Sequence, residues 1–136
     1  MMKHSVYLCM LLNVVFAGCG ESPTSVVSGP SVMVTYESQP LADVQVTLHA
    51  TETGPALAQA VSASDGRAYF QNMPLPEPSE YLVSLQSLGD GGWILDPKYA
   101  QAAKSRLRLQ PLTDSELQTI ELPRGAVSAL TPSRRR

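Results

Sequence analysis

The stretches Val32-Met33-Val34-Thr35-Tyr36 and Val44-Gln45-Val46-Thr47-Leu48-His49 decide the fold class. Val32, Val34 and Tyr36 alternate with Met33 and Thr35, and Val44, Val46 and Leu48 with Gln45, Thr47 and His49, which is the period of a strand with one face on a core and the other toward solvent. Glu37-Ser38-Gln39-Pro40 lies between them, and proline bars continuation of a ladder there. The economical expectation is a β-hairpin of these two strands. Reading on, Ala56 to Ala63 makes a weaker strand, and Ser64-Asp65-Gly66 leads into Arg67-Ala68-Tyr69-Phe70. Asp-Gly between two such runs predicts a second hairpin, because both residues tolerate left-handed backbone. Asn72 to Ser79 is a proline-rich loop, and Tyr81, Val83 and Leu85 mark the next strand. Gly89-Asp90-Gly91-Gly92 turns the chain into Trp93-Ile94-Leu95, and Ala100 to Lys104 suits a helical turn. Ser105 to Gln110 and Leu117 to Leu122 complete the set. Short strands at this spacing, with no competing long amphipathic helix, predict an all-β fold: an antiparallel sandwich of seven to eight strands. Val34, Tyr36, Val44, Val46, Leu48, Phe70, Tyr81, Val83 and Leu85 are expected to point inward.

Composition agrees with one folded domain. The chain has 136 residues, 43% of them hydrophobic and 16% charged, with 9 glycines and 11 prolines placed between apolar runs. A formal charge of −2 and a pI near 5.6 do not describe a nucleic-acid binder, which needs a basic field to neutralise phosphates.

At the N-terminus Lys3 and His4 precede an uncharged run, Ser5 to Phe16, which has the length of a signal-peptide core and is short for a permanent membrane span. It ends in Phe16-Ala17-Gly18-Cys19, which resembles a bacterial lipobox, with phenylalanine where leucine is commoner. The small residues enter a signal peptidase in extended form, and the thiol of Cys19 is the nucleophile that takes the diacylglycerol. Residues 1–18 are therefore expected to be a lipoprotein signal peptide, with Cys19 the lipidation site. Since Cys9 would be discarded and Cys19 consumed, no disulfide is expected in the mature chain. Small, polar and proline-broken residues make 19–30 a flexible tether, 31–122 is the sandwich domain, and 123–136 is expected to be a disordered basic tail.

Val34-Thr35-Tyr36, Gln39 to Leu48, Ser62 to Phe70 and Tyr81 to Leu85 together resemble the carboxypeptidase-regulatory-like, transthyretin-like family of β-sandwich modules, over about residues 30 to 122. Ser38 stands where many relatives place glycine, and Pro74 to Ser79 replaces a short glycine turn. The resemblance implies a transthyretin-like or Ig-like sandwich and, in a bacterial lipoprotein, a place in the cell envelope, anchored by lipid and facing an extracytoplasmic compartment. It is poorly specific for activity.

Residues suited to chemistry are few. Beyond Cys19 the only histidine is His49, which the strand period aims at solvent, so neither a Cys/His metal site nor a supported Ser-His-Asp triad can be assembled. Hydroxyisourate hydrolases of the transthyretin-like group end in Tyr-Arg-Gly-Ser, whereas the nearest stretch here is Pro123-Arg124-Gly125-Ala126. Asp65, Asp90 and Asp96 fit no dense calcium loop, and each has a turn-forming role. Lys98 and Lys104 find no identifiable carboxylate for an isopeptide. Neither a catalytic centre, a metal nor a cofactor is expected. Trp93 and Tyr99 would stack on sugar rings if both lay exposed on one face, and they are the candidate ligand-binding residues. Without Lys3 and the run Arg134-Arg135-Arg136, six basic residues face twelve acidic ones. Two functions follow: a non-enzymatic, lipid-anchored envelope module for binding or scaffolding, or a carbohydrate-binding envelope module using Trp93 and Tyr99. The expected partners are the membrane and an envelope protein or polysaccharide, with no nucleic acid.

Overall fold

The computed structural model describes residues 29–89 and 92–129. Residues 1–18, expected to be a signal peptide, Cys19, most of the expected tether, Asp90 and Arg134 to Arg136 lie outside the described residues. Ten strands and one short helix follow in the order β1 (Ser31–Tyr36), β2 (Gln39–Pro40), β3 (Val44–His49), β4 (Ala56–Val61), β5 (Arg67–Tyr69), β6 (Tyr81–Ser87), β7 (Trp93–Leu95), α1 (Ala102–Ser105), β8 (Leu107–Leu109), β9 (Gln118–Leu122) and β10 (Val127–Ala129). A 3-10 turn at Pro97–Ala100 leads into α1, with Asp96 as its cap. Among the described residues no helix is long and apolar enough to cross a membrane.

The protein is all-β, with two sheets closing over one core. The first has β1 at its centre, paired antiparallel with β2 and β5 along one edge and parallel with β9 along the other. The second runs β4-β3-β6-β8, antiparallel throughout. A small ladder joins β7 to β10. Val32 and Val34 of β1 meet Val44, Val46 and Leu48 of β3 and Tyr81, Val83 and Leu85 of β6 in the same apolar cluster, with Phe70, Ile120 and Leu122 added from the first sheet's side. All the residues expected inward are buried except Tyr36, which is half-buried and packs on the cluster's margin.

The two expected hairpins do not form as ladders. β1 pairs with β2 through the two-residue turn Glu37-Ser38, both at positive φ (49° and 64°), while β3 belongs to the opposite sheet. The chain crosses the sandwich after Pro40, and Ser62 fastens the crossing. Its buried hydroxyl donates to the Leu41 carbonyl (2.7 Å) and accepts from the Val44 N–H (3.0 Å). The Asp65-Gly66 turn likewise carries the chain from β4 in one sheet to β5 in the other. Alternation reports that a strand has a buried face, and strands facing each other across a core alternate just as neighbours in one sheet do.

The Asp65-Gly66 turn also fills a gap in β1. One edge of β1 is shared by β5 at Ser31–Met33 and β2 at Thr35–Tyr36, leaving Val34 between them. The Val34 N–H donates to the Gly66 carbonyl (2.8 Å), and the Val34 carbonyl accepts from the Leu41 N–H (2.9 Å). Gly66 has φ +80°, and a Cβ there would stand 2.8 Å from the Val34 oxygen and 2.9 Å from Pro40 Cβ. Only glycine satisfies both the conformation and the approach.

The domain also extends beyond Leu122. Pro123 to Ala126 turn the chain back, Ala126 is buried, and β10 pairs with β7 in the register Val127↔Leu95 and Ala129↔Trp93. Val127 to Ala129 thus correct the expectation of a disordered segment from 123 onward. Their sequence offers a strand only if a partner is near, and the partner lies some thirty residues earlier in the chain.

Candidate functional site

The outer face of the sheet β4-β3-β6-β8 collects the polar side chains that the alternation turns away from the core. Gln45, Thr47 and His49 of β3 lie opposite Gln86, Ser84 and Leu82 of β6, with Val61 and Gln59 of β4 on one flank and Arg108 of β8 on the other. Thr47 and Ser84, short side chains on central strands, are almost covered by their longer neighbours (8% exposed each).

His49 is not the solvated imidazole expected of that face. It is half-buried, with Nε2 2.9 Å from Ser84 Oγ and Nδ1 3.3 Å from the carbonyl of Gly54 in the β3–β4 connection. A carbonyl only accepts, so Nδ1 carries a proton, and in that tautomer Nε2 accepts from the Ser84 hydroxyl. That is the hydrogen-bond direction of a serine nucleophile with its base. Backbone N–H groups of a strand lie in the plane of the sheet, whereas Oγ stands out of it, so those of β3 and β6 are not aimed at an oxyanion in front of Ser84. Gly54 supplies a carbonyl where a triad has a carboxylate. What the pair does is pin β3 to β6 and hold the loop at Gly54 onto the sheet.

Trp93 and Tyr99 do not form an exposed platform. Tyr99 is buried (3% exposed) in the core cluster, and Trp93 is half-buried and packs against the same cluster. An aromatic inside a capped turn is readily folded inward, because Pro97 sets the backbone and the ring is the largest apolar surface of the turn. Lys98 Nζ lies 5.1 Å from the centroid of the Tyr99 ring and 3.9 Å from Asp96 Oδ2. Asp96 also accepts from the Lys98 N–H (3.0 Å), and Asp65 accepts from the Arg67 N–H (3.0 Å), so both aspartates are turn acceptors. Among the described residues no three His, Cys, Asp or Glu side chains converge.

The structure brings together a group that the sequence leaves scattered. Two partly open basins flank α1. One, of about 540 Å³, is lined by Lys98, Tyr99, Ala103, Lys104, Ser105 and Arg106. The other, of about 360 Å³, is lined by Glu52, Leu82, Ala102, Ala103, Arg106 and Arg108. Arg106 borders both and has φ +58°, the left-handed C-terminal cap position where glycine or asparagine is usual. Ser105 fixes this corner by donating to the Val83 carbonyl of β6 and accepting from the Leu107 N–H. The available signal was a stretch from 97 to 113 with four basic and no acidic residues; bases spaced at 98, 104, 106 and 108 do not read as a run.

No family model matches the chain, and neither the curated proteins nor the solved structures contain a match to it.

Proposed function

We propose that this chain is a lipid-anchored protein of the bacterial cell envelope, carrying one non-catalytic β-sandwich module of the carboxypeptidase-regulatory-like, transthyretin-like kind, for binding or scaffolding. The observation that carries the reading is the order Lys3, uncharged apolar run, Ala17-Gly18-Cys19, polar proline-broken segment, then β-sandwich. Each part suits the next: a cleavable apolar segment exports the chain, a thiol at its end takes lipid, and a domain without disulfides needs the core that Tyr81, Phe70, Leu48 and the valines provide. Stable anchoring requires more than one acyl chain, which a lipidated and acylated Cys19 supplies.

Support for the non-catalytic part comes from the polar face. Among the described residues, the imidazole of its Ser-His pair is backed by the Gly54 carbonyl where a triad has a carboxylate. The carbohydrate reading loses its ground because the Tyr99 ring is buried. Mass spectrometry of the N-terminus of the protein purified from its host membrane tests the proposal. The expected result is a chain beginning at Cys19 with a diacylglycerol thioether; an unmodified thiol, or an N-terminus elsewhere, overturns it.

A further inference from the structure

We propose that the two basins around α1 form a docking surface for an anionic lipid bilayer, with Lys98, Lys104, Arg106 and Arg108 meeting the phosphate headgroups. The described residues carry ten acidic and six basic side chains, yet four of those six cations fall between 98 and 108 and line two adjoining basins. Nearby acids offset part of this field: Asp96 beside Lys98 (3.9 Å), Glu80 on Arg108 (2.8 Å) and Glu52 at the rim of the second basin. Lys104 and Arg106 have no carboxylate within 4.0 Å among the described residues. A second observation is the backbone of Arg106. Left-handed conformation costs a side-chain-bearing residue free energy that glycine at the same cap would not incur, and the guanidinium so placed is the one bordering both basins. Charge spacing selects the occupant. The four cations are spread over two basins that meet at Ala103 and Arg106 and are not gathered in one pocket, so they suit an array of headgroups better than one small anion. The inference rests on the reading that the chain works at a membrane surface.

The test uses the full chain with Cys19→Ser, so that it does not depend on lipidation, and measures co-sedimentation with phosphatidylcholine vesicles with and without one third phosphatidylglycerol. The apolar N-terminal segment partitions into both, and the difference between them reads the charge. Partitioning is expected to rise with phosphatidylglycerol and to fall with salt as the Debye length shortens. Lys104→Ser with Arg106→Gly keeps, and even relaxes, the left-handed cap. Each lost cation near an anionic surface lowers binding about fivefold, so this pair should lower the phosphatidylglycerol-dependent part about 25-fold. The charge-matched pair Arg67→Ser with Arg124→Ser, away from the basins, should change it less than about threefold. Equal losses from the two pairs, or no preference for phosphatidylglycerol, would overturn the docking surface whatever Cys19 carries. Soluble polyphosphate stripping the chain from vesicles at equal phosphate concentration would replace the bilayer with a polyanionic polymer and overturn the proposed occupant.

Discussion

Tyr81 holds its ring in the centre of the core while its hydroxyl donates to Glu77 Oε2 (3.0 Å) in the proline-rich loop. Burial, helped by the neighbouring carboxylate, pushes its pKa from 10.0 up to about 12. The folded protein therefore keeps a proton that the unfolded chain has released, and the stability this contributes is complete below pH 10 and lost as pH rises through 12. Urea midpoints are expected to fall between pH 10 and 12 more steeply for the native chain than for Tyr81→Phe. At neutral pH the variant should be about 1 kcal/mol less stable, having lost one hydrogen bond. Parallel alkaline curves would show that the Tyr81 hydroxyl is free in solution. Gly66 and Gly125 give a second residue-scale comparison, since both have positive φ (+80° and +86°) but only Gly66 has atoms within 4 Å of an added Cβ. Gly125→Ala should cost about 1 kcal/mol, the backbone term alone, and Gly66→Ala about 3 kcal/mol by denaturant titration because Val34 and Pro40 must also shift. Asp65-Gly66 was legible as a turn from its residue types, but the need for bare backbone against β1 was not, since Val34 is distant in sequence and close only in space.

At the scale of elements, β3 is the strand on which most depends, with β4 and β6 on its edges and β1 across the core. Val46 is fully buried and Gln45, next in the chain, lies on the opposite face. Val46→Asp places an unpaired carboxylate in the core and should cost more than about 4 kcal/mol, enough to unfold a domain of ordinary stability. Gln45→Asp should cost about 1 kcal/mol or less, the loss of strand propensity. Thermal denaturation followed by circular dichroism separates the two, and similar midpoints would mean that β3 is turned over relative to this description. The face of β3 could be read directly from its residues because adjacent side chains on any strand point to opposite sides. Its partners could not. Val44 to Leu48 would alternate in the same way beside β1 or across the core from it, and the short Glu37-Ser38 turn is used by β2, two residues long, instead.

The molecule as a whole is closed by pairings between distant parts of the chain, β1 with β9 and β7 with β10. A chain ending after Leu122 lacks β10 and buried Ala126, and uncovers the edge of β7 beside Trp93 and Leu95. It should unfold at least about 1 kcal/mol earlier in urea than a chain ending after Ala129, with a gain in tryptophan exposure; equal stability would make β10 dispensable. What the sequence by itself determined is the class of structure and the orientation of its strands: period-two apolar runs punctuated by proline, glycine and aspartate specify β-strands with one buried face, because that period and those turn preferences are properties of the local backbone. What only the tertiary structure decided is which strands are neighbours, that β9 runs parallel to β1, that Val127 to Ala129 form a strand, that His49 meets Ser84, and that Lys98, Lys104, Arg106 and Arg108 share one surface. These depend on where the chain crosses between sheets, and the crossing is chosen by the packing of the whole core, a sum over contacts that no single stretch contains.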